Sequence, residues 1–470
     1  VRSKGSGSMI RSIQRCLTPA FALLASGCMS VPKPPPVSAP ESATGNFAAL
    51  PIASIAPVPD DWWRLYDDPA LDSLVRAALS ANADLRVAYA NLDGARAALR
   101  QAQAARLPQT TIESSLGVDN PSSQPSASGN VPTTDYDIAA TASWDIDLFG
   151  RLRSAATAAR ADADAQTAVV DGLRVAVVAD TVQAYVDLCG ATRAVVAARA
   201  VAGAQDHTVA LVREQLRAGE VSPLEVSQVA TIAATTRAAV APFEAQRANA
   251  LYRLATLQGR PPAEARAYTF SCTAAPRLRA AAPVGDGTAL LLRRPDVREA
   301  ERRLAAAAAR IGVARADLYP RVNLGGALGL LSGGFKAVAS PLITWAFSNQ
   351  APARARLQQA RATERAALAG WDVAVLRALR EVETALATYD AETRRNRDLG
   401  QAATEAQAYA RRAAARVRLG DAPGLLQVDA QRAYAAAILQ QAQSDLLISQ
   451  NEVALFRALG GGWQTRTASE

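Results

Sequence analysis

The stretch Asp135–Phe149, DYDIAATASWDIDLF, decides the fold class of this chain because it alternates between apolar and polar residues. One face comprises Tyr136, Ile138, Ala140, Ala142, Trp144 and Ile146, and the other comprises Asp135, Asp137, Thr141, Ser143, Asp145 and Asp147. This alternation predicts a β-strand. A carboxylate-rich face opposite an apolar face with aromatic residues near its ends is typical of a membrane barrel strand. An edge strand of a soluble sheet is the alternative.

The composition of the 470-residue chain favours long helices. Half of the residues are apolar and only 5% are aromatic, while alanine fills much of the remainder. Such small side chains allow helices to pack closely. The net charge of +8 includes four basic residues within residues 1–27, which contain no acid, so the rest of the chain carries +4. Because these charges are dispersed and form no basic block, the sequence argues against a nucleic-acid partner.

The N-terminal region has the pattern of a secretory signal. Residues 9–28, MIRSIQRCLTPAFALLASGC, begin with basic residues, continue with a short apolar run and end in small residues. The ending resembles a bacterial lipoprotein signal, which implies that Cys28 carries diacylglycerol and that the protein reaches the outer membrane. Ordinary cleavage nearby, leaving Cys28 free, is the alternative. We expect residues 1–27 to be the signal peptide and residues 28–60, which are rich in proline, to be a lipid-anchored tether.

The rest of the chain consists of long helical segments interrupted by strand pairs. Helical spacing of apolar residues predicts one helix from just after Tyr66 to Leu107 and another from Gly150 to about Arg217. Between them, residues 109–147 contain two strand candidates. After a tight break, a further helix is predicted to end at Leu257.

The same plan occurs twice in the sequence. Corresponding features recur at offsets of 201 to 212 residues: Leu107-Pro108 with Tyr319-Pro320, Trp144 with Trp345, and Gly219 with Gly420. The second copy is about 11 residues shorter, all lost between its proline and its tryptophan. We therefore expect an internal duplication. It divides the chain into a first repeat (61–258), an equatorial linker (259–288), a second repeat (289–461) and a C-terminal tail (462–470). The second strand pair is predicted within residues 320–347, as RVNLGGALGLL and PLITWAF.

Four strands per chain have a consequence for assembly. They cannot close a membrane barrel, for which about eight strands are the minimum. An open sheet in lipid would leave backbone groups unpaired, at a cost of several kcal/mol each. If the strands lie in a membrane, the protein must oligomerise, and a trimer supplies 12 strands. The expected fold is mainly α with membrane β. Long α-helical hairpins form a trimeric α-barrel tunnel, joined to a 12-stranded trimeric transmembrane β-barrel.

Four stretches carry a resemblance to a known family: DWWRLYDDPALDSLVRAALSANADLR, WDIDLFGRLR, LLRRPDVREAERRLAAAAARIGVARADLYPRV and RLGDAPGLLQVDAQRAY. They resemble TolC-like outer-membrane efflux proteins of the NodT/OprM-type lipoprotein branch, over about residues 28–462. The resemblance implies a homotrimer, an outer-membrane barrel, a periplasmic α-helical tunnel and an equatorial belt. It also implies two partners, a periplasmic adaptor protein and an inner-membrane pump of the resistance-nodulation-division type.

The resemblance also points to candidate functional residues. Two helix–turn–helix tips match those that meet the adaptor, and their residues are Arg217, Gly219, Arg418, Leu419 and Gly420. Glycine is also required by the turns themselves, because it adopts positive φ freely. The second candidate is a periplasmic gate formed by Asp429 with its neighbours Leu426 and Arg432. A solvated or helix-paired aspartate is the alternative.

Several further residues have candidate roles. The carboxylates of Asp135, Asp137, Asp145 and Asp147 are candidates to line the barrel lumen and favour cations. For Cys189 and Cys272 the sequence favours two buried free thiols over a disulfide, although a periplasmic location permits pairing. The single histidine, His207, lies on a helical stretch and is interpreted as a surface residue. No catalytic constellation or cofactor motif is present, which indicates that the protein is not an enzyme.

Three functions are compatible with these features. The favoured one is a passive conduit in a tripartite efflux pump that exports drugs or other small molecules. The second is an outer-membrane exit duct for type I protein secretion, which shares the fold. The third is a periplasmic coiled-coil structural lipoprotein that does not conduct. The lipoprotein signal and the Arg293–Val297 stretch favour the first.

Overall fold

The computed structural model describes residues 31–47, 53–54, 56–119, 133–267, 272, 274–331 and 334–463. The predicted signal peptide and Cys28 lie outside these residues. The chain divides into two compact units. Of the described residues, one unit contains 31–38, 91–119, 133–167, 299–331 and 334–372, and the other contains 39–47, 53–54, 56–90, 168–267, 272, 274–298 and 373–463.

The element order helix, strand pair, very long helix, turn and helix occurs in both halves of the chain. In the first half the elements are β1 (Ala53–Ser54), α1 (Pro69–Ala81), α2 (Ala83–Ala104), β2 (Gln109–Asp119), β3 (Thr133–Ile146), α3 (Arg151–Arg217), α4 (Pro223–Ala238) and α5 (Val240–Leu257). In the second half they are β4 (Ala282–Pro283), α6 (Gly287–Arg293), α7 (Pro295–Ala316), β5 (Arg321–Leu331), β6 (Gly334–Thr344), α8 (Ala351–Arg418) and α9 (Gly424–Ala458). Short 3₁₀ helices span Glu41–Ala43, Trp62–Tyr66 and Pro262–Ala267. In the described part of the chain, no helix combines the length and apolar content needed to cross a membrane.

The single helix predicted between Tyr66 and Leu107 is wrong, because Asn82 divides it into α1 and α2. Asn82 is buried and extended, with a ψ of 130°. Its Oδ1 atom accepts a hydrogen bond from the Leu85 amide at 3.1 Å, and its Nδ2 atom donates to the Leu257 carbonyl at 3.1 Å. One side chain therefore caps the start of α2 and the end of α5. The helix predicted to end at Leu257 is also interrupted, at Ala239.

Four strands form one antiparallel sheet with the order β2-β3-β5-β6. The central pairing of β3 with β5 places Trp144 opposite Leu324 and Ile138 opposite Leu330. Paired residues share a face of a sheet. The apolar face of β3 consequently continues onto β5, a strand from the other half of the chain.

The bounds of β5 match the predicted strand, whereas those of β6 do not. We expected β6 at residues 341–347, but it spans Gly334–Thr344, so Trp345 and Phe347 lie beyond its end. Thirteen residues separate β2 from β3, and two separate β5 from β6. The 11-residue difference between the two halves therefore lies in the connection between the strands of each pair.

The second unit has a large apolar core around Trp62. The Trp62 ring stacks on Phe456 with ring centroids 4.6 Å apart, and both side chains are fully buried. Cys189 of α3 and Cys272 belong to the same core, and a disulfide joins them with a Cα–Cα distance of 5.3 Å. The expectation of two free thiols is thus wrong. Sequence separation carries no information about this pairing, which depends on where the chain after α5 returns to α3.

Candidate functional site

One face of the four-stranded sheet is apolar and exposed in the single chain. Ile112 of β2, Leu328 of β5 and Ile343 of β6 lie on this face and are exposed by 80%, 51% and 66%. The opposite face carries the polar residues Thr111, Glu113, Ser115, Thr141, Ser143 and Asn323, together with Val338 and Leu342 of β6. Within the described residues, β2 pairs only with β3 and β6 only with β5, so each has one open edge.

The four predicted lumen acids have different environments. Asp135 lies in β3, but its side chain falls outside the described part. Asp137 also lies in β3 and is partly exposed. Asp145 forms an ion pair with Arg151 at the base of the strand. Asp147 lies beyond β3 and accepts hydrogen bonds from the Leu152 and Arg153 amides at 3.0 and 2.8 Å.

Asp147 thus caps α3 and is part of the junction at which a strand becomes a helix. Gly150 lies in this junction with a φ of 75°, in the left-handed region that glycine adopts without steric cost. The Phe149 ring stacks on Tyr319, with ring centroids 4.7 Å apart. Residues 147–150 therefore form the turn between β3 and α3.

In each half of the chain, a tryptophan indole donates a hydrogen bond to a backbone carbonyl at the end of the preceding helical segment. The Trp144 indole donates a hydrogen bond to the Arg106 carbonyl at 3.0 Å, and the Trp345 indole donates to the Leu318 carbonyl at 3.2 Å. Each carbonyl belongs to the residue two positions before the proline that precedes a strand pair. The end of the second strand of each pair is consequently tied to the end of the preceding helical segment.

The two predicted tips are tight helix–turn–helix connections with the same backbone design. At the first, α3 ends at Arg217 and Gly219 has a φ of 76°. At the second, α8 ends at Arg418 and Gly420 has a φ of 74°. The Glu220 amide donates to the Gln215 carbonyl at 2.9 Å, and the Asp421 amide donates to the Arg416 carbonyl at 3.0 Å. These bonds satisfy carbonyls at the two helix ends.

The predicted gate residues lie in the first turns of α9. Val428 is buried against Val209 of α3 and Val229 of α4. The Thr208 hydroxyl donates to Oε1 of Gln431 at 3.0 Å, which fixes the same face of α9 against α3. Asp429 directly follows Val428 in the helix and is exposed. Arg432 is exposed as well, whereas Leu426 is half-buried. Within the described residues, the Asp429 carboxylate has no salt-bridge partner within 4.0 Å.

A buried carboxyl group in the second unit was missed by the sequence reasoning. Glu452 of α9 is 2% exposed. Its Oε1 atom accepts a hydrogen bond from the Tyr389 hydroxyl at 3.2 Å, and its Oε2 atom accepts one from the Leu278 amide at 3.4 Å. Burial raises the pKa of Glu452 to about 7, although these hydrogen bonds and nearby Arg277 favour the charged form. An acid inside an otherwise apolar helical face is the signal that could have identified it.

The raised pKa of Glu452 predicts a pH-dependent stability. Because its pKa is about 7 in the folded protein and 4.5 in the reference state, the folded protein binds the proton more tightly. The contribution of protonated Glu452 to the free energy of unfolding is fully present below pH 4.5 and is lost as the pH rises through about 7. Between about pH 5.5 and pH 8, we expect the free energy of unfolding to fall by about 2 kcal/mol in wild type. Denaturant unfolding of the detergent-solubilised protein across this range measures the change.

Two variants test the assignment to Glu452. Glu452→Gln keeps the shape of the protonated side chain, so its stability should be less dependent on pH and should exceed that of wild type at pH 8. Glu405→Gln alters an exposed carboxylate of α8 and serves as the control. An unchanged pH dependence in Glu452→Gln would contradict the assignment.

Arg294 is a second buried charge that the sequence reasoning did not identify. Only 7% of the residue is exposed. Its guanidinium donates to both carboxylate oxygens of Asp296 at 2.8 and 2.6 Å, to Glu381 of α8 at 2.8 Å and to the Ala458 carbonyl at 2.6 Å. Ala458 is the last residue of α9, so Arg294 satisfies a carbonyl at a helix end. The paired arginines before Pro295 were a visible signal, but their partners are distant in sequence.

Comparisons with known proteins agree with this architecture. The sequence profile described as "Outer membrane efflux protein" matches residues 74–260 and 288–461. The chain is 28% identical to nodulation protein T of Rhizobium leguminosarum bv. trifolii over 96% of this chain and 97% of that protein. It is 30% identical to the toluene efflux pump outer membrane protein TtgF of Pseudomonas putida over 95% of this chain and 96% of that protein. The solved structure of the outer-membrane channel OprN is similar with a TM-score of 0.84 and 34% identity, covering 92% of this chain and 99% of that one. The chain belongs to the outer membrane efflux protein family.

Proposed function

We propose that this protein is the passive outer-membrane conduit of a tripartite efflux pump that exports small molecules. The family match covers both halves of the chain, and similar proteins are efflux channels and not enzymes. The protein is accordingly an outer-membrane protein with a large periplasmic part. The observation that carries the proposal is the four-stranded sheet, which has an exposed apolar face and an open edge at β2 and at β6.

The open edges support a trimer. A sheet in lipid must pair every backbone group, and four strands are too few to close a barrel. If β6 of one copy pairs with β2 of the next, three copies supply 12 strands. The face with Ile112, Leu328 and Ile343 then contacts lipid, whereas the face with Thr111 and Ser143 contacts water in the lumen. Asp137 is the lumen acid best supported by this arrangement, since Asp145 and Asp147 serve the junction with α3.

The remaining assignments complete the assembly. Diacylglycerol on Cys28 anchors the protein to the outer membrane, and residues 28–60 form the tether. The partners are a periplasmic adaptor protein, which contacts the tips at Gly219 and Gly420, and an inner-membrane pump of the resistance-nodulation-division type. The transported compounds are drugs or other small molecules, and the pump selects them, because a passive duct contacts its cargo only weakly.

Conductance tests the conduit. Protein purified from membranes should migrate as a heat-modifiable trimer on gels and should form ion-conducting channels in planar bilayers. A water-soluble rod that does not conduct would overturn the proposal and support a structural role. Transport of a polypeptide, with no effect on small-molecule efflux, would support a secretion duct.

Asp429 provides a sharper test of the closed constriction. Asp429 and Arg432 are neighbours three residues apart on the exposed surface of α9, beside the face packed on α3 and α4. In a trimer, three copies of the carboxylate would attract cations and repel one another. Alanine removes three side chains that narrow the proposed constriction and also removes their charge, so Asp429→Ala is expected to raise single-channel conductance and to lower the preference for cations, each by about twofold.

The matched control for Asp429→Ala is Gln228→Ala. Gln228 lies on α4 at the equivalent position of the first half, 201 residues earlier, and is exposed. Its replacement should leave both quantities unchanged. If Asp429→Ala has wild-type conductance and cation preference in planar bilayers, Asp429 does not form the gate.

A further inference from the structure

The two tips have the same backbone design but opposite charge. We define the α3–α4 tip as residues 210–231 and the α8–α9 tip as residues 411–432, which correspond at an offset of 201 residues. The α3–α4 tip contains two arginines and three glutamates, for a net charge of −1. The α8–α9 tip contains five arginines and two aspartates, for a net charge of +3.

The arginines of the α8–α9 tip are only partly neutralised. In the α3–α4 tip, Arg217 forms an ion pair with Glu214. Arg418 occupies the position equivalent to Arg217, but Ala415 stands where Glu214 would be. Within the described residues, Arg418 makes only a 3.4 Å hydrogen bond to a carbonyl of its own helix. The positive charge of Arg418 therefore remains available to a partner.

In the described part of the chain, the charges of Arg411 and Arg412 are neither neutralised, as that of Arg416 is, nor explained by a stabilising effect on the helix. Arg416 is neutralised by Asp421, with Nε and Oδ2 2.9 Å apart. Arg411 and Arg412 replace Ala210 and Leu211 of the other tip, and both are exposed. They lie more than one turn before the end of α8, whereas the favourable effect of the helix dipole on cations is confined to the last turn.

An exposed leucine accompanies these charges. Leu419 lies in the turn itself and is 83% exposed, whereas the equivalent residue of the α3–α4 tip is Ala218. Leu425, in the first turn of α9, is 52% exposed, but its equivalent Leu224 is 67% exposed, so Leu419 is the exposed leucine that distinguishes the two tips. Leu419 lies beside Arg418, with Arg411 and Arg412 further along α8, and this combination suits a partner that carries both an apolar group and acidic residues.

We propose that the α8–α9 tip is a selective docking site for an acidic helical hairpin of the periplasmic adaptor, and that the α3–α4 tip does not share this selectivity. The inference rests on the proposed function, from which the adaptor contact comes. Arg411, Arg412 and Arg418 supply the charge complementarity, and Leu419 supplies the apolar contact. The two tips of each chain are consequently not interchangeable, and binding at the basic tip weakens with salt.

Two synthetic α-helical hairpins test the proposal. They differ only in whether the residues beside the turn are glutamate or glutamine. Their affinity for the full-length protein in detergent is measured by biolayer interferometry at about 50 mM and about 300 mM NaCl. The glutamate hairpin should bind about tenfold more tightly than the glutamine hairpin at low salt, and the difference should shrink at high salt.

Matched variants locate the site. Arg411→Gln/Arg412→Gln/Arg418→Gln should abolish the preference for the glutamate hairpin, whereas Arg213→Gln/Arg217→Gln at the other tip should retain it. Three results would overturn the proposal. The two hairpins could bind wild type with equal affinity, or the glutamate hairpin could fail to bind at concentrations up to about 1 mM. The two sets of variants could also lose the preference for the glutamate hairpin to the same extent. Planar-bilayer conductance of the same preparations tests the proposed conduit separately from the docking site. A wild-type protein that does not conduct contradicts the conduit, whereas conducting variants with lost hairpin preference support the docking site.

Discussion

Removing the disulfide between Cys189 and Cys272 is expected to lower the free energy of unfolding by about 4 kcal/mol. The two cysteines are 83 residues apart, so their bond restricts a long loop in the unfolded chain. Cys189 lies in the middle of α3 and is fully buried, whereas Cys272 lies in the segment between α5 and α6. The bond consequently fixes that segment to the core that contains Trp62 and Phe456. Denaturant unfolding of Cys189→Ala/Cys272→Ala, compared with wild type, measures the loss.

Reductant provides the internal control for this prediction. Wild type treated with reductant under partially denaturing conditions should approach the stability of the double variant. The double variant itself should not respond to reductant. If reductant lowers the stability of both proteins equally, or of neither, the disulfide does not stabilise the fold. Mass spectrometry of the peptides containing Cys189 and Cys272 reports their bonding directly.

Arg294→Met is expected to destabilise the folded protein by about 3 kcal/mol. Methionine preserves much of the side-chain volume, so the main effect is the loss of polar contacts. The Ala458 carbonyl loses a charged donor in a buried position, which costs about 1–3 kcal/mol. The side chains of Asp296 and Glu381 are each 39% exposed, so water compensates part of their loss. Thermal and denaturant unfolding of the purified protein measure the difference.

Arg380→Met is the matched control for this prediction. Arg380 also lies on α8, next to Glu381, but is exposed. Its replacement should change the free energy of unfolding by less than about 0.5 kcal/mol. An Arg294→Met protein as stable as the Arg380→Met protein would contradict the role assigned to the buried guanidinium.

Local periodicity was sufficient to predict several elements. The alternation around Trp144 predicted β3, and the predicted β5 coincides with Arg321–Leu331. The predicted end of α3 at Arg217 is also confirmed, because glycine, serine and proline after it form an unambiguous turn. These features depend on residues close to one another in the chain, which is why the sequence alone reveals them.

Other features depend on contacts between distant segments. Asn82 interrupts a continuous helical pattern because its amide group reaches the Leu257 carbonyl, 175 residues away in the chain. The start of β6 follows from its pairing with β5, since its own residues alternate weakly. The tip charges were visible in the sequence, but their neutralisation was not, because it requires the ion-pair geometry of Arg217 and Arg416.

The sequence by itself determined the order of helices and strands, the repetition of that order, the position of both tips and the family. These properties are encoded in periodicity, turn residues and spacing, which act over short stretches of chain. Only the tertiary structure decided the pairing of Cys189 with Cys272, the burial of Glu452 and the network around Arg294. The physical reason is that each depends on the distance between segments far apart in the chain. Folding sets that distance by the packing of many side chains together, and no local pattern records it.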